Sequence, residues 1–136
     1  MKTYQNEHVT VTVEKGARLL RQTWVGLPTS GHYQRGSLMS VAFTKQYAVN
    51  RWLIDLRQLR IFNPIDIQWF VQQCLPALAG CWPKNTKIAV LLNNANQFAK
   101  LGTDIVLKAA MATNQTLASR YFLDNDDARY WLMNDY

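Results

Sequence analysis

Valines at 9, 11 and 13 alternate with threonines at 10 and 12. A period of two built wholly from β-branched side chains predicts a strand with one buried face. Glu14-Lys15-Gly16-Ala17 follows, and Gly16 can take the positive φ of a tight hairpin turn. Arg18 to Val25 reads as the returning strand, with Trp24 its largest anchor. Gly26-Leu27-Pro28 then breaks the pattern. Thr29 or Ser30 caps a helix expected to run to about Ala48. Leu38, Val41 and Ala42 share one face of it, while Met39 and Phe43 widen that face. Its interior glycines, Gly31 and Gly36, each cost about 1 kcal/mol relative to alanine.

Two short apolar runs stand out further along, Trp52-Leu53-Ile54-Asp55-Leu56 and Ile88-Ala89-Val90-Leu91-Leu92. Such runs suit strands covered on both faces, so they are expected to be neighbours in a parallel part of a sheet, with the hairpin of residues 8–25 completing an edge. Between them, Ile67, Phe70, Val71, Cys74, Leu75 and Leu78 carry helical spacing and predict a helix over 64–79, its last turn kinked or tightened by Pro76. Phe98, Leu101, Ile105, Ala109 and Ala112 mark another helix after the turn Asn93-Asn94-Ala95-Asn96. Leu117 to Leu123 is a last strand. Asp124 or Asn125 caps a short final helix carrying Ala128, Trp131 and Leu132. The order β-β-α-β-α-β-α-β-α, with no repeat or linker, predicts an α/β domain over 1–136 with a single mixed β-sheet flanked by helices.

Composition agrees: 49% hydrophobic and 18% charged residues fit a globular chain. No apolar run approaches the ~20 residues that span a bilayer, and MKTYQNEHVT lacks the apolar core of a secretory signal, so a cytoplasmic location is expected. The net charge is +6 and unevenly spread. Residues 124–136 carry four aspartates against Arg129 alone, a balance of −3, which leaves +9 on the remainder. The basic side chains are scattered rather than clustered, so they read as a solvated surface. Nucleic acid is not the expected partner.

Little in the chain carries reaction chemistry. GxSxG, P-loop, GxGxxG, Cys-x-x-Cys and His-Glu-x-x-His patterns are all missing. Cys74 and Cys81 flank LPALAG; Cys74 reads as a small core hydrophobe, and no metal site or cofactor is expected. His8 and His32 read as structural or solvated, and the five tryptophans as core or rim.

Asn63-Pro64-Ile65-Asp66 is a strong helix start. Asn at the N-cap accepts from the N–H of the third helical residue, Pro at the first helical position has no orphan donor, and Asp at the third bonds back toward the cap and faces the positive end of the dipole. The element order, WLIDLRQL leading into this capped helix, the KIAVLL strand and the ending YFLDNDDARYWL together resemble the STAS-like (SpoIIAA-like) fold group. In particular the chain resembles uncharacterised bacterial members whose chains run "W.G", "WL.DLR.L" and "F.D...A..WL". The resemblance covers nearly the whole chain and rests on mostly structural motifs. In anti-sigma-factor antagonists of that group a serine at this helix start is phosphorylated, which controls binding to a partner kinase. Their Asp-Ser-Ser-Gly pattern is replaced here by Asn63-Pro64-Ile65-Asp66, in which no residue has a hydroxyl.

The resemblance therefore implies a non-enzymatic, cytoplasmic protein-interaction or regulatory module without a phospho-switch. The alternative is a binder of a small apolar or acidic, lipid-like ligand held between helices and sheet, since relatives of this fold include lipid-binding domains. Asp55 is the residue that packing explains least; it is expected to bond backbone N–H groups or to pair with Arg51 or Arg57, and the functional alternative makes it part of a ligand site at the strand ends. Arg57 and Arg60, with the helix start at Asn63, form a candidate anion-binding corner, against which Asp66 already occupies the helix dipole and Pro64 removes one N–H donor; Asp66 is kept as a candidate binding residue of the same corner. Met39 and Phe43 are the candidate interface of a homodimer or partner contact, being types enriched where proteins meet.

Overall fold

The valine–threonine alternation becomes β2 (Val9–Glu14), whose Val9, Val11 and Val13 are buried. It pairs antiparallel with β3 (Leu19–Gly26), which places Val9 opposite Trp24. The computed structural model describes residues 1–95 and 98–134; Asn96 of the expected turn and Asp135 of the acidic tail lie outside the described residues. The remaining elements are β1 (Lys2–Gln5), α1 (Ser30–Gln46), β4 (Arg51–Leu59), α2 (Pro64–Gln73), α3 (Leu75–Cys81), β5 (Lys87–Leu91), α4 (Phe98–Thr113), β6 (Ala118–Phe122) and α5 (Asn125–Met133). All six strands form one sheet in chain order, antiparallel from β1 to β3 and parallel from β3 to β6. The two apolar runs are parallel neighbours, with Trp52 beside Ile88 and Asp55 beside Leu91.

Chain-order stepping decides where the helices go. Each parallel step needs a crossover, and right-handed crossovers taken repeatedly in one direction lie over the same face. Accordingly α1 to α4 cover one face, around a core that includes Trp24, Tyr33, Trp52, Phe62, Phe70 and Leu107. Among the described residues, α5 alone covers the other, where Ala128 and Leu132 meet Leu19, Leu53, Ala89 and Leu91. Both layers bury β5 at every position.

Four expectations need correction. The 8–25 hairpin is not the edge, because β1 pairs outside it, Lys2 opposite Val13. The helix expected over 64–79 is two helices that meet at Cys74 and Leu75: Pro76, with no N–H, cannot continue α2 but fits the first turn of α3. In the 15–18 turn the positive φ falls on Arg18 (52°) rather than Gly16.

The fourth correction concerns α1. Its inward stripe is Tyr33, Gly36, Ser37, Ser40, Val41 and Thr44, mostly small residues, while Leu38 and Ala42 face out. Small residues let the helix lie very close to the sheet: a Cβ on Gly36 would stand 2.5 Å from Val9 Cγ1. The buried hydroxyl of Ser40 donates to the Gly36 carbonyl (2.8 Å) and accepts from Gln22 Nε2 (2.8 Å). Gln22 Oε1 in turn accepts from Trp24 Nε1 (3.1 Å), so this polar chain is satisfied within the core. Phe43 is 2% exposed and packs beside Tyr47. It is a core side chain, and Met39 packs half-buried against the same core. The expected outward presentation of Met39 and Phe43 fails, because the surplus apolar groups of α1 fill the flanks of a closely seated helix.

Candidate functional site

Asp55 lies on β4, whose alternation sends Trp52 toward α1–α4 and Leu53, Asp55 and Arg57 toward α5. Its carboxylate is fully engaged. Arg57 donates from its backbone N–H (3.1 Å) and Nε (3.0 Å) to Oδ1 and from Nη2 (2.9 Å) to Oδ2. Arg21 of β3 adds a fourth bond to Oδ2 (2.9 Å) and with its other amine reaches Asn125 Oδ1 (2.6 Å) at the start of α5. Burial alone would raise the Asp55 pKa, but these arginine bonds and charges hold it below the usual carboxylate value. Arg57 is pushed up in return, chiefly by its bond to Asp55. The expected partner Arg57 is therefore present, whereas Arg51 turns away to the carbonyls of Leu132 and Ala17. Asp55 is a clasp joining β3, β4 and α5.

The other corner residues separate by role. Asn63 caps α2 by accepting from the N–H of Ile65 (2.9 Å), the second helical residue rather than the expected third, so Asn63→Ala is expected to cost about 1 kcal/mol, read as a lower urea midpoint at unchanged slope. Asp66 is buried in the first turn of α2. Arg57 and Arg60 line an open cleft with Ile61, Asn93 and Phe98. Asn93 Nδ2 bonds the Arg57 carbonyl (2.7 Å), and the Arg60 N–H bonds the Gly26 carbonyl (2.8 Å), which fixes both cleft walls. Arg57 is occupied by Asp55; Arg60 is exposed.

Beside this cleft lies a feature that periodicity alone did not reveal. The inward residues of α4 are Ala99, Thr103, Leu107 and Ala110. The larger Phe98, Leu101 and Ile105, at i, i+3 and i+7, form a second stripe that faces out, 68%, 61% and 57% exposed. Here again small residues seat the helix: a Cβ on Gly102 would stand 3.0 Å from Ile67 Cγ1 of α2. The patch continues across that contact. Ile105 shares a groove with Pro64, Gln68 and Val71, Phe98 shares the arginine cleft with Ile61, and Ile65 on the first turn of α2 is 73% exposed. Isolated exposed apolar side chains are ordinary; a stripe of three large ones on one helix, bordered by two grooves with further apolar walls, is not.

Between the sheet and α1–α4 lies a cavity of about 40 Å³, walled by Trp24, Trp52, Trp82, Tyr33 and Phe70 among others. Small-molecule sites run to roughly 300–1,000 Å³, whereas a water takes about 30 Å³. The space is of water size, and two of the residues that line it, Trp52 and Trp82, have buried indole N–H groups without a hydrogen-bond partner among the described residues. It does not fit the lipid-like ligand expected between helices and sheet. Burial pushes the Cys74 thiol up to about 11, and Tyr33 and Tyr121 well above the usual phenol range, so these buried groups stay protonated at neutral pH.

A mixed sheet in chain order with its crossover helices on one face and a last helix on the other is a SpoIIAA-like fold, and solved structures agree. The chain is similar to an uncharacterized protein of the DUF3478 family with a SpoIIAA-like fold from Shewanella loihica PV-4, at 16% identity and a TM-score of 0.58 over 95% of this chain and 98% of that one. It is similar also to an anti-sigma factor antagonist from Mycobacterium paratuberculosis, at 14% identity and a TM-score of 0.56 over 93% and 95%. No protein-family model matches the chain, and no curated protein matches it in sequence. Among the described residues, no helix is long and apolar enough to cross a membrane.

Proposed function

We propose that this protein is a non-enzymatic, cytoplasmic regulatory module that docks a protein partner on the face formed by the starts of α2 and α4. The observation that carries this is the exposed stripe Phe98, Leu101 and Ile105 on α4, with the two grooves its ends line, one with Ile61 and one with Pro64 and Val71. The exposed Arg60 rims it on the cleft side, so the partner it fits presents an apolar ridge with a carboxylate beside it. The similarity to an anti-sigma factor antagonist supports a protein partner for this fold. Docking here works without a phospho-switch, because Asn63, Pro64, Ile65 and Asp66 offer no hydroxyl to modify.

The test is a photo-crosslinking residue placed at Leu101 in the native host, with the same residue at Leu38, an exposed apolar position on α1, as control. We expect position 101 to trap one protein whose purified form then binds the unmodified chain, more weakly as salt rises. Crosslinks only to a second copy of the chain, only to lipid, or equally from 38 and 101 contradict the proposal.

A further inference from the structure

Read separately, His8 and His32 lie 24 positions apart in the chain and carry no shared signal. The fold brings them together. His8 sits in the turn between β1 and β2, His32 in the first turn of α1, and their ring centroids are 5.1 Å apart. Glu7 joins them: one donor atom from each of the three residues lies within 4.8 Å of the others.

Several contacts hold this cluster in place. Asn6 Oδ1 accepts from the His8 and Val9 N–H groups (2.9 and 3.1 Å), and Asn6 Nδ2 donates to the His32 carbonyl (3.2 Å). One side chain thus ties the turn to the helix. His32 N–H is itself bonded to the cap Thr29 Oγ1 (3.1 Å). The His8 ring is oriented as well, because Nδ1 lies 3.0 Å from the Val25 carbonyl. A carbonyl only accepts, so Nδ1 carries the proton and Nε2 keeps its lone pair, the arrangement by which backbone carbonyls prepare histidine ligands. His32 Nδ1 is buried with no partner among the described residues, so nothing in the described protein fixes that ring's tautomer. A bound ion would.

We propose that Glu7, His8 and His32 form a binding site for a first-row divalent cation of the Zn²⁺ type. Two imidazoles and a carboxylate are a borderline nitrogen and oxygen donor set, which suits Zn²⁺ and its neighbours over Ca²⁺ or Mg²⁺. Donor atoms on one tetrahedral Zn²⁺ stand roughly 3.3 Å apart, so loading draws the three side chains inward by rotation, which the exposed Glu7 permits. The positive end of α1 opposes a cation here, and the Glu7 carboxylate is the charge that offsets it. Three protein ligands leave a coordination position open to water or to a partner's side chain. The site also reaches the docking face through the backbone. The His8 ring lies against Gly26 (a Cβ there would stand 3.7 Å from Nδ1), and the Gly26 carbonyl holds Arg60.

The experiment is calorimetric titration of ZnCl₂ into tag-free, chelator-treated protein, alongside His8→Ala, His32→Ala and Glu7→Gln. We expect one saturable site per chain in the micromolar range and a higher melting temperature with zinc present. Each histidine variant should weaken binding by roughly tenfold or more, since even changes to groups behind the ligands cost that much. Glu7→Gln, at an exposed position that leaves the fold intact, should weaken it to a smaller extent. Co²⁺ substitution should give a visible spectrum without a thiolate charge-transfer band, which separates this site from Cys74 and Cys81. Absence of saturable binding in the wild type overturns the proposal, as does wild-type affinity in both histidine variants or in Glu7→Gln, or a thiolate band.

Discussion

Asp55→Ala is expected to lower stability by about 2–3 kcal/mol, a fall in melting temperature of about 10 °C for a chain of this size. Removing one member of a fully buried ion pair typically costs about 3–5 kcal/mol. Here the arginines are partly in water, with side-chain exposures of 31% for Arg21 and 38% for Arg57, so screening reduces the loss. What remains is the backbone bond to Arg57 and the link through Arg21 to α5. Asp55→Asn, which keeps an acceptor for that N–H, should lose less. A pH dependence accompanies this. The folded-state pKa of Asp55 lies below its unfolded value, so the unfolded chain binds the extra proton. The contribution is therefore complete above about pH 5 and disappears as pH falls through the carboxylate range. Glu14, held down by Arg129, shifts in the same direction, but that pair is more than a third exposed on the arginine side and adds little. Urea midpoints at pH 7, 5 and 3 (ordinary assay values spanning the carboxylate range) should converge for wild type and Asp55→Ala only at the acid end. Equal stability of the two proteins at neutral pH would show that the clasp is not holding β3, β4 and α5 together.

Charge placed in the apolar patch is expected to have the opposite profile, a large effect on binding with almost none on folding. Ile65 and Leu101 are mostly in water, so Ile65→Glu and Leu101→Glu should change stability by no more than about 0.5 kcal/mol. At the centre of an interface, apolar anchors are worth about 2 kcal/mol or more each, roughly thirtyfold in affinity. The double variant should retain the wild-type melting temperature and lose the trapped partner altogether in sedimentation. Loss of folding in either single variant would mean that α2 and α4 bury those side chains.

The contrast between these two sites shows how far the sequence can be read. Local rules carried much of the fold. The β-branched alternation is β2, the two apolar runs are the parallel neighbours β4 and β5, and Thr29, Asn63 and Asp124 are the caps. Features set by partners distant in the chain did not show. β1 is an exposed edge strand, KTYQ, joined to the sheet by backbone pairing that side-chain periodicity does not signal. The Asp55–Arg21 pair spans 34 positions, and nothing local distinguishes Arg21 from Arg51. The largest misdirection came from helix faces. In both α1 and α4, small residues face inward because the helices pack closely, and large apolar residues are left on the flanks or outside. A reading that turns every large apolar residue of α4 inward hides its exposed stripe, and in α1 the expected inward Leu38 and Ala42 are exposed while Phe43 is in the core. The available signal was an excess: α4 has more apolar positions than one stripe can use.

Amide hydrogen exchange of the chain, free and bound to the partner trapped from position 101, tests the docking face most directly. Protection on binding should concentrate in residues 59–68 and 98–108, the two helix starts and the cleft between them. The β1–β3 ribbon and the α5 face should exchange as in the free protein. Protection centred on α5 or the ribbon, with 59–68 and 98–108 unchanged, would contradict the account.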